Sequence, residues 1–100
     1  MGIKSRSAVV GGQHGLPVTS TKVLKLPEVP IGANVAEIYV RNAPVVYTRD
    51  GVDPSPTGGF RKEPMQVIVL NSRNEVVNFK VIAVSDPASL DYEYFTDVSG

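Results

Sequence analysis

At residues 36–41 the chain reads Ala36-Glu37-Ile38-Tyr39-Val40-Arg41, an alternation of apolar and polar side chains. Successive side chains of a β-strand point to opposite faces, so the apolar and the polar residues of this stretch are expected on different faces. The pattern is typical of an antiparallel strand with one face on a core and the other in water. It therefore predicts a half-buried strand.

Further runs on both sides of this stretch also predict strands. Val, Ile and Thr, which suit a pleated surface, number 17, 5 and 5, whereas Leu and Ala number 5 and 6. The runs are 21–26, 45–49, 66–70, 77–84 and 90–95. The short link before 45–49 predicts a hairpin with 36–41, and the run 66–70, apolar on both faces, predicts a central strand. The residues expected to face the core in the last two runs are Val77, Phe79, Val81, Ala83, Leu90, Tyr92 and Tyr94.

The spacing of these runs predicts the fold class. Strands near ten residues apart with Pro, Gly and Asx turns between them favour an all-β fold, a small antiparallel β-sandwich or barrel of about 7–8 strands. The first twenty residues carry several glycines and few large side chains. We therefore expect an extended N-terminal arm over residues 1–20 and a β-sandwich domain over residues 21–100.

Composition narrows the classes of function. The 100-residue chain has no Cys and one His, which excludes disulfide scaffolds, thiolate zinc sites and multi-histidine metal sites. The formal net charge is zero, whereas a nucleic-acid-binding domain normally carries a basic excess. No apolar run approaches the roughly 18 residues of a membrane span. We expect no enzymatic activity, no cofactor, and neither nucleic acid nor membrane as a partner.

Charge is distributed unevenly along the chain. Residues 1–30 hold four cations and one acid, a net charge of +3, and residues 86–100 hold four acids and no cation, a net charge of −4. These complementary segments would either close on each other within one molecule or dock on copies of the same protein.

Three groups of side chains are candidates for a catalytic or metal-binding site. His14 is more typical of a polar or interface histidine than of a general base, since no nucleophile or acid accompanies it. Asp50 and Asp53 are too few oxygens for calcium and favour a turn with an Asx hydrogen bond. Asp91 and Glu93 share a strand face, as a catalytic carboxylate pair would, but their alternation with apolar residues favours a solvated outer face.

The order of several motifs resembles that of small virion proteins of tailed bacteriophages. In that family "GA…AxIYV", "(V/I)xYxxDGTxPT…G" and a final "xVxYF" follow one another. Here the corresponding stretches are 32–40, 43–59 and 90–95, with an apolar strand at 77–82 before the last, so the resemblance covers about residues 11–95. One departure is that Val52 and Asp53 stand where the family has Thr after the Asp-Gly turn.

The resemblance implies a compact β-sandwich on the virion, either a capsid decoration (cement) protein or a related head or neck protein. It implies binding to the major capsid protein, self-association as a trimer or dimer, and a location on the capsid surface after synthesis in the host cytoplasm. Terminal arms grip neighbours in such proteins. The arm residues expected to bind a partner are Val9, Val10, His14, Leu16 and Val18.

Two alternatives remain open at this point. One is a module of a tail fibre or neck that binds host-surface glycan or another virion protein, for which Tyr39 and Tyr47 are the candidate stacking residues. The other is an enzyme that uses Asp91 or Glu93, and it lacks the spacing of a nucleophile and a base.

Overall fold

A computed structural model describes residues 5–85 and 87–98 of the chain, with side chains from residue 9 to residue 96. The all-β prediction is confirmed, and the strands form a sandwich of two four-stranded antiparallel sheets. Sheet A has the order β1-β8-β3-β6, and sheet B has the order β2-β7-β4-β5. The elements are β1 (Ser5–Val18), β2 (Leu24–Lys25), β3 (Val35–Arg41), β4 (Val45–Thr48), β5 (Phe60–Lys62), β6 (Val67–Leu70), α1 (Arg73–Asn78), β7 (Lys80–Ala83) and β8 (Ala88–Val98).

The alternation predicted for sheet A is confirmed on two neighbouring strands. In β3 the side chains of Ala36, Ile38 and Val40 are fully buried, and in β8 the inward side chains are those of Leu90, Tyr92 and Tyr94. Each of the first three lies opposite one of the second three in the antiparallel register, in reverse order. Cross-strand pairs of this kind are the unit of sheet stabilisation, so the β3–β8 pair forms the centre of sheet A.

Sheet B is buried on both of its faces at β4. Val45 and Tyr47 belong to the core between the sheets, whereas Val46 and Thr48 point the other way and are also buried. The cover on this outer face is the loop 50–59. The hydroxyl of Thr48 donates to the carbonyl oxygen of Val52, and a Cβ on Gly59 would lie only 2.6 Å from Val46 Cγ1.

One predicted strand is helical at its start. The sequence predicts continuous β-structure over 77–84, but Val77 and Asn78 belong to α1 and the strand β7 starts at Lys80. Ser72 caps the helix, since its side chain accepts from the Glu75 amide at 3.2 Å, while the Glu75 carboxylate accepts from the Asn71 amide at 3.0 Å. This is half of a capping box, because Glu75 reaches the amide of Asn71, one residue before the capping residue Ser72. The cap outweighs the β-propensity of Val76 and Val77.

Two predicted pairings are wrong. β3 and β4 do not form a hairpin, because the link between them, which includes Asn42 at φ 74°, carries the chain from sheet A to sheet B. The run 66–70 is not central, because β6 lies at an edge of sheet A and pairs only with β3. Its Val67 side chain is 38% exposed.

The segment expected to be an N-terminal arm is extended and lies along sheet A. The described part, β1, is 14 residues long and pairs with β8 throughout, with register shifts at three places. β3 accompanies β8 only as far as Phe95, so beyond that point β1 and β8 continue as a two-stranded ribbon. The molecule measures 42 × 24 × 24 Å.

Candidate functional site

The five residues predicted to bind a partner occupy three different environments along β1. Val18 is fully buried in the sandwich core, and Val10 and Leu16 are partly buried and pack against that core. Val9 is 54% exposed, and His14 is also exposed. Of the five, Val9 and His14 therefore present accessible side chains, and both line one shallow hollow together with Glu93.

Val9 lies at the base of the ribbon, where a second exposed apolar residue is found. Ile31 is 97% exposed and follows Pro30, whose Cγ would lie 3.2 Å from a Cβ on Gly11 of β1. It precedes Gly32, and a Cβ on Gly32 would lie 3.8 Å from the Thr96 methyl group of β8. The base of the ribbon therefore carries Val9 and Ile31 as two exposed aliphatic side chains at one end of sheet A.

The oppositely charged segments of the chain lie side by side. Arg6 of β1 is opposite Asp97 of β8 in the antiparallel register. The backbones of these two segments are thus neighbours within one molecule, and closure through their charges remains a prediction. Docking on copies of the protein remains a prediction.

His14 lines a depression on the outer face of sheet A. The depression has a volume of about 220 Å³ and lies where β1, β8 and β3 run side by side. Its lining residues are His14, Tyr39, Arg41, Asp91, Tyr92 and Glu93. It brings together the candidate histidine, the candidate carboxylates and one candidate stacking residue.

Asp91 is held from both sides within this depression. Its Oδ1 accepts a hydrogen bond from the Gly15 amide of β1 at 2.8 Å, and its Oδ2 lies 3.1 Å from Arg41 Nε of β3. Because the side chain of Asp91 is mostly covered, these charge-assisted contacts are stronger than those of a fully exposed pair. The carboxylate therefore ties three neighbouring strands together.

The two tyrosines considered for stacking differ in accessibility. Tyr39 is 46% exposed and lies opposite Asp91 in the register of β3 and β8. Tyr47 is buried, with its ring centroid 5.6 Å from that of Phe79 and 5.8 Å from that of Phe60. Tyr47 is therefore a core residue and cannot serve as a stacking platform, whereas Tyr39 can.

Asp91 and Glu93 face outward together, as the solvated-face interpretation expected. Glu93 is exposed and lies opposite Glu37 in the register of β8 and β3. Asp91 is engaged with Gly15 and Arg41, so the two carboxylates have unequal surroundings. The carboxylate of Asp91 is therefore held in one orientation, and that of Glu93 beside it is exposed to solvent.

Two buried tyrosines close the inner side of sheet A next to β1. The Tyr94 hydroxyl donates to the Pro27 carbonyl oxygen at 2.7 Å, and the Tyr92 hydroxyl donates to Gln13 Oε1 at 3.3 Å. Burial, the main cause, raises the pKa of both phenols above the ordinary value for tyrosine. The neutral Tyr94 phenol therefore fastens the segment around Pro27 to β8, and the neutral Tyr92 phenol fastens Gln13 of β1 to β8.

The segment from Asp50 to Asp53 forms the turn that the sequence predicted. Asp50 Oδ1 accepts from the Val52 amide at 3.2 Å, and Gly51 between them has φ 86°. Asp53 Oδ1 accepts from Lys80 Nζ at 2.7 Å and so fastens the loop 50–59 to β7. Across residues 5–85 and 87–98, no group of three or more His, Cys, Asp or Glu side chains is placed to hold a metal ion.

Sequence reasoning did not connect Arg41 and Gly15 with the depression. The signal for Arg41 was present, since it shares the outer face of β3 with Tyr39. Gly15 carried no such signal, because its role depends on the register of β1 against β8.

In the described part of the chain, no helix is long and apolar enough to cross a bilayer. Comparisons of the chain with protein-family models, curated proteins and solved structures return no match.

Proposed function

We propose that the protein is a non-enzymatic virion structural protein that binds the major capsid protein and stabilises the head of a tailed bacteriophage. The order of motifs from residue 32 to residue 95, which resembles that of small virion proteins, supports this assignment. The observation that carries the mode of binding is the exposed pair Val9 and Ile31 at the base of the β1–β8 ribbon.

Val9 and Ile31 are exposed, although β1, which carries Val9, is ordered by its pairing with β8. Each aliphatic side chain that a partner covers contributes about 25 cal/mol per Å² of apolar surface removed from water. Since β1 is already hydrogen-bonded to β8, binding would not require ordering of residues 9–18. A preformed ribbon base is therefore a better docking element than a free arm of the same length.

Attachment to a large particle would also stabilise a small domain that has no disulfide. Binding of the folded state alone raises apparent stability by mass action. Self-association as a trimer or dimer would act in the same way, and the exposed ribbon base is the surface available to it.

The test is a pelleting assay with capsids that lack this protein. Wild-type protein is expected to co-sediment at saturable occupancy. Val9→Asp and Ile31→Asp each place a charge in the covered surface and are expected to reduce occupancy at least tenfold, an effect on the scale of about 1.4 kcal/mol per decade.

The matched control is Val52→Asp. Val52 is also an exposed valine, but it lies in the loop 50–59 over sheet B. Val52→Asp is expected to bind like the wild type. Equal occupancy for Val9→Asp, Ile31→Asp and Val52→Asp would overturn docking through the ribbon base, and no co-sedimentation of the wild type would overturn the virion assignment.

A further inference from the structure

The depression on the outer face of sheet A combines charged and aromatic side chains that the proposed capsid docking does not use. It is centred on the Asp91 carboxylate, and Val9 is not one of its lining residues. Three strands contribute to it, so its shape is fixed by the sheet and not by a loop. We propose that it is a binding site for a neutral sugar, a single hexopyranose held through two adjacent hydroxyl groups.

The Arg41–Asp91 ion pair argues for an uncharged ligand. Arg41 and Asp91 compensate each other at 3.1 Å. An anion would meet the carboxylates of Asp91 and Glu93, and a cation would have to compete with Arg41 for Asp91 and would find only the exposed Glu93 unpaired with Arg41. An arginine has five N–H donors and a carboxylate accepts about four hydrogen bonds, so both groups keep unused capacity after their mutual contact and the Gly15 bond. Donors next to acceptors match a pair of hydroxyl groups, each of which donates and accepts.

The same contacts preorganise the site. Gly15 and Arg41 hold the two oxygens of Asp91 from opposite sides, so the carboxylate is oriented before any ligand arrives. Less conformational freedom is then lost on binding than at a free surface side chain.

Tyr39 supplies the apolar part of the site. It lies opposite Asp91 on the neighbouring strand and leaves nearly half of its side chain exposed. The face of a pyranose ring that carries its C–H groups is apolar, and an aromatic ring offers a flat apolar surface of matching size. The hydroxyl edge of the sugar would then turn toward Arg41 and Asp91.

The size of the depression sets the length of the ligand. At about 220 Å³ it is smaller than the roughly 300–1,000 Å³ that encloses a drug-sized molecule, so it accommodates one sugar ring. A shallow site that contacts about a dozen heavy atoms corresponds to a Kd on the order of 1 mM.

The experiment is an NMR titration of isotopically labelled free protein. The probes are the methyl glycosides of glucose, galactose, mannose and N-acetylglucosamine, each added to concentrations on the order of 10 mM. At least one is expected to shift the amide signals of Gly15, Tyr39 and Asp91 in a saturable way. No saturable shift with any of the four, or shifts centred elsewhere, would overturn the proposal.

Variants separate stacking from non-specific contact. Tyr39→Ala is expected to weaken binding about tenfold, and Tyr39→Phe is expected to retain most of it, because the ring face is kept. The matched control is Phe60→Ala, because Phe60 is 55% exposed and also lies next to an arginine, with Arg49 5.5 Å from its ring centroid. Binding that survives Tyr39→Ala, or is lost with Phe60→Ala, contradicts the proposal. The titration contains no capsid, so its failure leaves docking through Val9 and Ile31 untouched.

Discussion

The outer face of sheet B lies under the loop 50–59 of the same chain, whereas the outer face of sheet A is open to water at Tyr39, Val67 and Glu93. In sheet B the covered strand β4 is apolar without alternation. In sheet A the open strand β3 alternates. The chain thus covers the outer face of sheet B with its own loop and leaves the outer face of sheet A exposed.

The difference extends to the edges of the two sheets. The edge strands of sheet B, β2 and β5, have two and three residues, whereas the edge strand β1 of sheet A has fourteen. Short edges and bulges both discourage unwanted strand pairing, and β1 relies on three register shifts. Ligand and partner surfaces are therefore expected on sheet A, while substitutions on sheet B are expected to act on stability.

The largest expected effect is at the glycine that seats the loop on sheet B. Gly59 has φ 139°, and a Cβ there would lie 2.6 Å from Val46 Cγ1 and 3.0 Å from the Tyr47 carbonyl oxygen. Gly59→Ala is expected to reduce the free energy of unfolding by about 3 kcal/mol, measured by urea denaturation. The control on sheet A is Gly15→Ala, where φ is 75° and a Cβ would meet open space, and the expected cost is about 1 kcal/mol. Equal costs at the two glycines would contradict a tightly seated loop.

A smaller effect is expected from shortening one valine on each outer face. Val46→Ala leaves a cavity between sheet B and its loop and is expected to cost about 2 kcal/mol. Val67→Ala removes a partly exposed side chain from sheet A and is expected to cost no more than about 0.5 kcal/mol. The comparison would fail if both variants unfolded at the same urea concentration.

The third prediction concerns the two outward carboxylates of β8. Asp91→Ala removes the group that ties β1 to β8 and β3, and is expected to cost about 1 kcal/mol, since partial exposure weakens the pair. Glu93→Ala, on the same strand and face, is expected to change the free energy of unfolding by less than about 0.5 kcal/mol. Hydrogen exchange of the β1 amides would locate the loss, because fraying of β1 is expected only in Asp91→Ala. Loss of β1 protection in Glu93→Ala as well would refute the assigned role of Asp91.

The sequence predicted what depends on local pattern. The alternation in 36–41 and 90–95 identified two strands and their inward residues, because one open face imposes a period of two. Their place at the centre of sheet A was not predicted. Asp50 and Gly51 identified a turn, because their hydrogen-bonding and backbone preferences act within four residues. The helix cap formed by Ser72 and Glu75 was also local, and reading it would have predicted α1.

What the sequence left open depends on long-range register. The link of three residues after Arg41 fits a hairpin as well as a change of sheet, and the change of sheet was decided by which faces needed cover. Likewise, an apolar run such as 66–70 fits a central strand, but β6 lies at an edge. The depression could not be predicted from the sequence for the same reason. Gly15 and Asp91 are 76 positions apart and meet only through the pairing of β1 with β8.

The last prediction concerns Tyr94, whose hydroxyl joins β8 to the segment around Pro27. Tyr94→Phe removes the hydrogen bond to the Pro27 carbonyl oxygen and is expected to cost about 1 kcal/mol at pH 8. Burial raises the pKa of Tyr94 in the folded protein, while in the unfolded chain it stays near 10. Its neutral form therefore stabilises the fold fully below pH 10, and this contribution falls as the pH rises above 10, by at most about 1.4 kcal/mol per pH unit.

The measurement is the free energy of unfolding of wild type and Tyr94→Phe at several pH values from 8 to 11. The advantage of the wild type is expected to be constant up to about pH 10 and to shrink above it, because the unfolded wild-type chain releases the Tyr94 proton while the folded chain retains it. Tyr39→Phe is the control, since it removes the hydroxyl of a partly exposed tyrosine, leaves that of Tyr94 in place and is expected to keep the alkaline loss that Tyr94 causes. A wild-type advantage that stays constant to pH 11 would mean that the Tyr94 hydroxyl reaches water, and that the segment around Pro27 does not close this side of sheet A.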